Sequence, residues 1–350
     1  MKTHPYADLP DRQFWRRGVS SVERFRIDPV NPPRFKISRG DRIATAGSCF
    51  AQHISSRLKA FGFNYFVAED GAGIAESDRE NLGYGVFSAR YGNIYTVRQL
   101  LQLVEECFDA AGPKEGIWET SDGRYVDALR PQIQPGGFAS KSEVREERVR
   151  HRIHVRRLFR ECDVLVFTLG LTECWRSRHD GKIFPIAPGV VGGTFDASRH
   201  EFVNLDAPEV TDDLHRLLDR LKEIRPSIKV VLTVSPVPLI ATFEDRHVLV
   251  SNTYSKSVLR VAAEAVCRSR DWVEYFPSYE IITGNFTESA YYDADFRNVN
   301  AKGVDHVMRT FLRNFIDEPD LIESADAGYF ARAAPHLVCD EEALEETRRV

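Results

Sequence analysis

Arg42-Ile43-Ala44-Thr45-Ala46-Gly47-Ser48-Cys49-Phe50-Ala51 is the stretch whose reading decides the fold. The apolar run from Ile43 to Ala46 ends in Gly47-Ser48, and Ala51, Ile54, Leu58 and Phe61 then recur at helical spacing. This predicts a buried strand, a tight glycine turn and an amphipathic helix. A serine at such a corner stands at the C-terminal edge of a strand and the positive end of a helix. Ligands collect there in open α/β sheets, and free backbone N–H groups can hold an anion. Ser48 is therefore the candidate nucleophile; the structural alternative is a helix N-cap, which serine also favours.

Working outward, residues 63–67 read as a second strand, and Thr96 as the cap of a helix carrying Val97, Leu100, Leu101 and Val104. Residues 163–173 and 229–236 are apolar without alternation, the pattern of parallel strands buried on both faces. Residues 272–276 read as a last strand, and helices are expected over 141–160, 208–225, 254–270 and 300–315. The order of strands and helices predicts an α/β fold: a doubly wound, flavodoxin-like, mostly parallel sheet with helices on both faces. The glycine- and proline-containing stretches 69–95, 175–206 and 237–252 read as long loops that would build a pocket. Residues 112–140 read as an excursion with a hairpin near 121–123. The expected organisation is an irregular N-terminal arm (1–40), one α/β domain (41–317) and a peripheral C-terminal tail (318–350).

Composition narrows the function. With 350 residues, 43% hydrophobic and 28% charged, the chain can bury a sizeable core without disulfides or a structural metal. A net charge of -5 gives no support for nucleic-acid binding. Cys49, Cys107, Cys162, Cys174, Cys267 and Cys339 form no CxxC pair and no zinc-type spacing, so no metal and no cofactor is implied. That cysteine usage predicts a reducing, cytoplasmic setting. The N-terminus lacks a signal-peptide apolar core, and no run approaches the ~18 apolar residues of a membrane span. The oligomeric state is left open.

Gly47-Ser48-Cys49-Phe50-Ala51 spells the motif for which the GSCFA family is named, and the chain resembles that family over roughly residues 40–315. The resemblance extends to Thr168-Leu169-Gly170, to Leu232-Thr233-Val234-Ser235-Pro236-Val237 and to Ser255-Lys256. The family is similar to the SGNH (GDSL-like) hydrolases, which implies an SGNH-type sheet. Such enzymes carry a serine after strand one, oxyanion donors in two later loops, and an aspartate and histidine three residues apart before the last helix. Serine is a poor nucleophile until a base takes its proton, and the tetrahedral intermediate needs fixed donors.

Carried onto this chain, the resemblance makes Ser48 the nucleophile, with its own N–H as an oxyanion donor. Gly92 and Asn93 match the second block, though Gly92 reads equally as a turn glycine. Thr172 stands where an asparagine is usual. Glu173 beside it would orient a base or cap a helix. Asp295 matches the late aspartate, but Asn298 occupies the histidine position and cannot act as a base near neutral pH. His306 is the nearest replacement base and His247 the alternative; His53, five residues after Ser48, lies on a different helix face. The structural alternative for His306 is a helix or capping-network histidine. Arg90 would bind a carboxylate or phosphate, or simply pair at the surface. Tyr84, Tyr91, Tyr95 and Trp175 would stack on a sugar ring or pack loop to core.

The implied activity is a serine esterase acting on a short acyl ester, for example an O-acetyl group on a carbohydrate. The expected partner is thus a small-molecule or carbohydrate ester, with no nucleic acid and no membrane. The alternatives are an acyltransferase in polysaccharide modification and an inactive SGNH-fold binding protein, which Asn298 keeps in view.

Overall fold

Ile43–Gly47 forms β1, every residue of it buried, and α1 (Phe50–Ala60) follows after the Ser48 corner. These and the other elements are those of a computed structural model that describes residues 4–79, 81–109, 116–318 and 339–346. The chain continues through α2 (Glu76–Arg79), α3 (Val97–Phe108), β2 (Ile117–Glu119), β3 (Tyr125–Asp127) and α4 (Lys141–Glu161). Then come β4 (Val164–Leu169), β5 (Glu173–Ser177), β6 (Ile183–Phe184), β7 (His200–Asn204) and α5 (Ala207–Ile224). The last are β8 (Lys229–Val234), α6 (Val248–Ser269), β9 (Val273–Tyr275), α7 (Ser278–Thr283), α8 (Ala301–Phe315) and α9 (Glu342–Glu346).

The central sheet is parallel in the order β1-β4-β8-β9. Tyr65 adds a single parallel bridge on the free edge of β1. Counting that edge, the order is the flavodoxin-like one, and the direction of winding reverses between β1 and β4. Alternate side chains sort the core into two faces. Ala44, Ala46, Leu165, Phe167, Leu169, Val230 and Leu232 pack with residues of α3, α4, α5 and α6. Ile43, Val164, Val166 and Val231 pack with Phe50, Ile54 and Leu58 of α1 and with α8. Both faces of the sheet are therefore covered, which is why β4 reads as an unbroken apolar run.

Three expectations change. Residues 63–67 are not a full strand: Tyr65 N–H bonds back to Phe63 O at 2.8 Å, an i to i+2 turn that bends the chain after one bridge. The stretch 175–206 is not a plain loop but contains most of an antiparallel sheet, β6-β5-β7. Its glycines and prolines hide short strands held by cross-strand pairs such as Trp175 opposite Phe202. α6 begins at Val248, because the His247 ring nitrogen Nδ1 accepts the Leu249 amide and fixes the first turn. Residues 117–127 form the expected hairpin.

Before the sheet, Ile27, Val30 and Ile37 are buried, and Arg34 bonds Glu274 and the carbonyls of Cys267, Arg270 and Val273. No helix among the described residues is long and apolar enough to cross a membrane.

Gly47 fixes the corner. It sits at φ 139°, and a Cβ there would lie 2.3 Å from Thr168 O of β4. Gly47→Ala is expected to lower stability by at least about 1–3 kcal/mol, the cost of such a backbone conformation before the clash is added. Equilibrium urea denaturation measures it, and an unchanged midpoint would refute the close approach.

Candidate active site

Ser48 leaves the sheet pressed between the ends of β1 and β4. Its amide donates to Thr168 O at 3.4 Å, so this N–H is engaged and not the free oxyanion donor expected. Its hydroxyl is buried and has no hydrogen-bond partner among the described residues, and neither does the nearby Thr168 hydroxyl. Ser48 does not cap α1 through its side chain; Cys49 occupies the N-cap position, also without a side-chain bond. A buried unpaired hydroxyl costs about 1–3 kcal/mol and asks for a reason.

Gly170, just beyond β4, faces the serine. A Cβ on it would come 3.3 Å from Ser48 Cβ and 2.8 Å from Tyr95 O. The Gly170 carbonyl accepts from Lys256 Nζ at 2.6 Å. Lys256 lies on the buried stripe of α6 with Leu259 and Ala263, and burial lowers its pKa to about 8. That stripe was the available sequence signal, a lysine at i with apolar residues at i+3 and i+7.

Residues 339–341 reach the same corner. Arg297 Nη2 lies 3.7 Å from Cys339 Sγ and 2.9 Å from Glu341 Oε2. The Asp340 carboxylate accepts from Asn93 Nδ2 at 3.0 Å and from the Tyr95 hydroxyl at 3.5 Å. Burial pushes Asp340 up to about 6 and Glu341 up to about 7. The stretch 318–350 was expected to be peripheral. Cys339 and Asp340 are instead buried, because they find amide and guanidinium partners that no local periodicity announces.

The other residues singled out from sequence stand as follows. Asn93 belongs to the corner, held also by Gln52 Nε2 on its Oδ1 at 3.3 Å. Gly92 has φ 71° with nothing within 4 Å of a Cβ, so its glycine serves the turn, not a close approach. Arg90 is buried and holds Glu147, Tyr84 OH, Leu82 O and Ile133 O, which leaves it no role in binding an anion. Thr172 donates its hydroxyl to Asn204 Oδ1 at 2.7 Å. Glu173 caps no helix; from β5 it accepts from Thr242 Oγ1 at 2.6 Å and Phe243 N at 3.2 Å.

Asp295 is exposed and accepts from Asn298 Nδ2 at 2.6 Å and from the amides of Arg297 and Asn298, a closed local turn. Neither histidine proposed as a base bonds Ser48. In His306 both ring nitrogens are engaged, Nε2 with Ile27 O at 2.8 Å and Nδ1 with Tyr291 OH at 2.7 Å. Because a carbonyl only accepts, the ring carries its proton on Nε2 and takes the tyrosine proton on Nδ1. His247 caps α6. His53 is buried against Phe50, ring centroids 5.6 Å apart, and its Nδ1 has no hydrogen-bond partner among the described residues. Tyr91 and Tyr95 are buried and Tyr84 stacks on Arg90. Trp175 lines a cavity of about 340 Å³ that also reaches Leu171, Phe202, Phe243, Glu341 and Leu344. Among the described residues, no group of three His, Cys, Asp or Glu side chains is placed to hold a metal ion.

Fold and corner together define a parallel α/β protein with a glycine-serine turn at its topological switch point. Residues 42–311 match the GSCFA family, and the chain belongs to that family. No curated protein matches the sequence at a significant level. Among solved structures, a mutant of an acetyl-xylooligosaccharide esterase from Geobacillus stearmophilus aligns over 81% of this chain and 98% of its own, with 13% identity and a TM-score of 0.33. A family 3 carbohydrate esterase from Clostridium thermocellum aligns over 82% and 98%, with 11% identity and a TM-score of 0.26.

Burial holds the pKa values of His53 and His306 down at about 4. Between pH 6.5 and 4 the unfolded chain binds protons that the folded one refuses, so stability is lost as pH falls through that window. Urea denaturation across it should show the loss, and His53→Leu should reduce the slope by about one proton. A slope unchanged in the variant would mean that His53 is not held neutral.

Proposed function

We propose that the chain is an SGNH-like serine esterase that removes a short acyl group, such as an O-acetyl group on a carbohydrate, through an acyl-enzyme at Ser48. The observation that carries this reading is the buried Ser48 hydroxyl at the switch point of the sheet, without a hydrogen-bond partner among the described residues. The SGNH resemblance of the family supports the chemistry, and Trp175 and Phe243 give one wall of the cavity the apolar faces on which sugar rings stack.

The base in this proposal is Lys256. Its amine sits on the carbonyl of the glycine that packs against Ser48, and burial already favours the neutral form. As Ser48 Oγ attacks the ester carbonyl, Lys256 takes its proton and later returns it to the leaving alcohol. Serine–lysine pairs of this kind are a known variant of the triad. Asn93 Nδ2 holds the developing oxyanion. In the structure the Asp340 carboxylate takes Asn93 Nδ2 and so stands where a substrate oxygen would accept. Water then attacks the acyl-enzyme by the same route.

A fluorophosphonate probe should label the wild-type protein and not Ser48→Ala; absence of labelling in both would favour a binding protein that lacks the chemistry. Product analysis with a sugar acceptor separates hydrolysis from transfer, since free acid alone at saturating acceptor counts against transfer.

Lys256→Arg keeps the charge but cannot accept a proton, and should lower kcat by about 100-fold or more. The wild-type rate should rise with pH to an inflection near 8, because the base works only when deprotonated. His306→Gln should lower stability and leave labelling close to wild type. An inflection near 6.5 that disappears in His306→Gln would return the base role to the histidine.

A further inference from the structure

We infer that the cleft between α4, β2 and residues 193–200 binds an acidic oligosaccharide, the charged part of the proposed ester substrate, through its repeated carboxylate or sulfate groups. The cleft has a volume of about 740 Å³, a size ordinary for a ligand pocket. Lys141, Arg145, Arg148, Arg152 and Arg199 line it, and Glu119 is the one carboxylate among its described lining residues. A chain with a net charge of -5 thus gathers five cations around one cleft.

Four of these cations belong to α4 and recur at i, i+4, i+7 and i+11, which puts them on one face of the helix. Like charges at such spacings repel, and Lys141 stands in the first turn, where the helix dipole disfavours a cation. Partners inside the protein offset only part of this. Arg148 Nη2 donates to Asp127 Oδ1 at 2.6 Å, and Arg152 lies 3.7 Å from Glu106. Lys141 and Arg145 are exposed and pair with no carboxylate among the described residues. An anionic ligand supplies the counter-charge that the fold leaves out.

The walls are held in place without a ligand. Arg148 also donates to Gly116 O, the Gly193 amide donates to Glu119 O at 2.8 Å, and Trp118 packs on Phe184 with ring centroids 5.1 Å apart. Along the axis of α4 the four cations are separated by roughly 6, 4.5 and 6 Å, at 1.5 Å per residue. That stripe of roughly 16.5 Å is too long for one small anion and suits a chain charged on successive units. Trp118 and His200, the rings of the cleft, are buried, which removes the stacking platform that single-stranded nucleic acids use.

The cleft adjoins the aromatic cavity through one segment. Thr194 lines the cleft, and Phe195 lines the cavity that reaches Leu171, the residue after Gly170. The His200 ring lies against Phe195, centroids 6.2 Å apart. An extended ligand crossing residues 194–195 touches both.

Binding stands on the cleft alone, while its place in the substrate rests on the esterase reading. Isothermal titration calorimetry on full-length Ser48→Ala measures binding without turnover. The probes are a galacturonic acid tetramer, a sulfated galactan tetramer, a neutral cellulose tetramer, inorganic phosphate and hexathymidylate. An acidic tetramer should bind at least about tenfold tighter than the neutral one, phosphate or hexathymidylate, and the tighter of the two acidic tetramers identifies the anionic group. Raising ionic strength from about 0.01 to 0.15 M shortens the screening length from about 30 to 8 Å and should weaken that binding. The double variant Lys141→Glu, Arg145→Glu should weaken it by at least about tenfold. Arg216→Glu with Arg268→Glu, the same charge change on exposed arginines outside the cleft, should leave it within about twofold. No binding of either acidic tetramer, equal binding of the neutral tetramer or phosphate, tighter binding of hexathymidylate, or equal losses in both double variants would overturn the proposal.

In parallel, the wild-type protein should deacetylate the O-acetylated form of the preferred acidic tetramer with a kcat/KM at least about tenfold above that for acetylated cellulose tetramer. Hydrolysis without that preference would overturn the substrate assignment. Hydrolysis of neither would be a failure of the esterase reading, with the ligand of the cleft still decided by calorimetry.

Discussion

The close approach of β1 to β4 at their C-terminal ends is the constraint on which the site depends. Gly47 lies against Thr168, and Gly170 lies against both Tyr95 and Ser48. No side chain fits at either glycine without moving a neighbouring backbone. The two turns can therefore meet only because both residues lack a Cβ. This meeting holds Ser48 in the interior, where its hydroxyl finds no partner among the described residues, and puts the Gly170 carbonyl within reach of Lys256. A polar group kept unsatisfied in a packed core is unusual, and such groups concentrate where chemistry is done.

How much of this the sequence disclosed follows from which interactions are local. β1, β4 and β8 are legible because strands buried on both faces need unbroken apolar runs, and the glycine-serine turn is legible because a tight corner needs those residue types. The short antiparallel strands at 173–204 are not, since they are held by pairing with one another and interrupted by glycine and proline. The bent edge at Tyr65 is missed for the converse reason: the apolar composition of a strand is present, but an i to i+2 bond takes the amide.

The candidate site divides the same way. Ser48 and Asn93 are found from motif and context. His306 is misleading because a histidine near the expected place satisfies the pattern, while its ring is engaged by Tyr291 and by the Ile27 carbonyl of the N-terminal stretch. Nothing in the residues around His306 discloses a partner 279 positions away. Lys256 carries a faint signal, a cation on an apolar helical stripe. Cys339, Asp340 and Glu341 carry none, because their burial depends wholly on partners in distant parts of the chain.

These partners bear on one another electrostatically. Arg297 is the cation shared by Cys339 and Glu341, and Lys256 also feels Glu341. Removing the 339–341 segment from the corner takes away the carboxylate that favours charged Lys256, which leaves burial to favour the neutral amine. The same displacement thus readies the proposed base. In the proposed mechanism, segment position and catalytic competence are for that reason coupled, biased by whichever ligand displaces or holds residues 339–341.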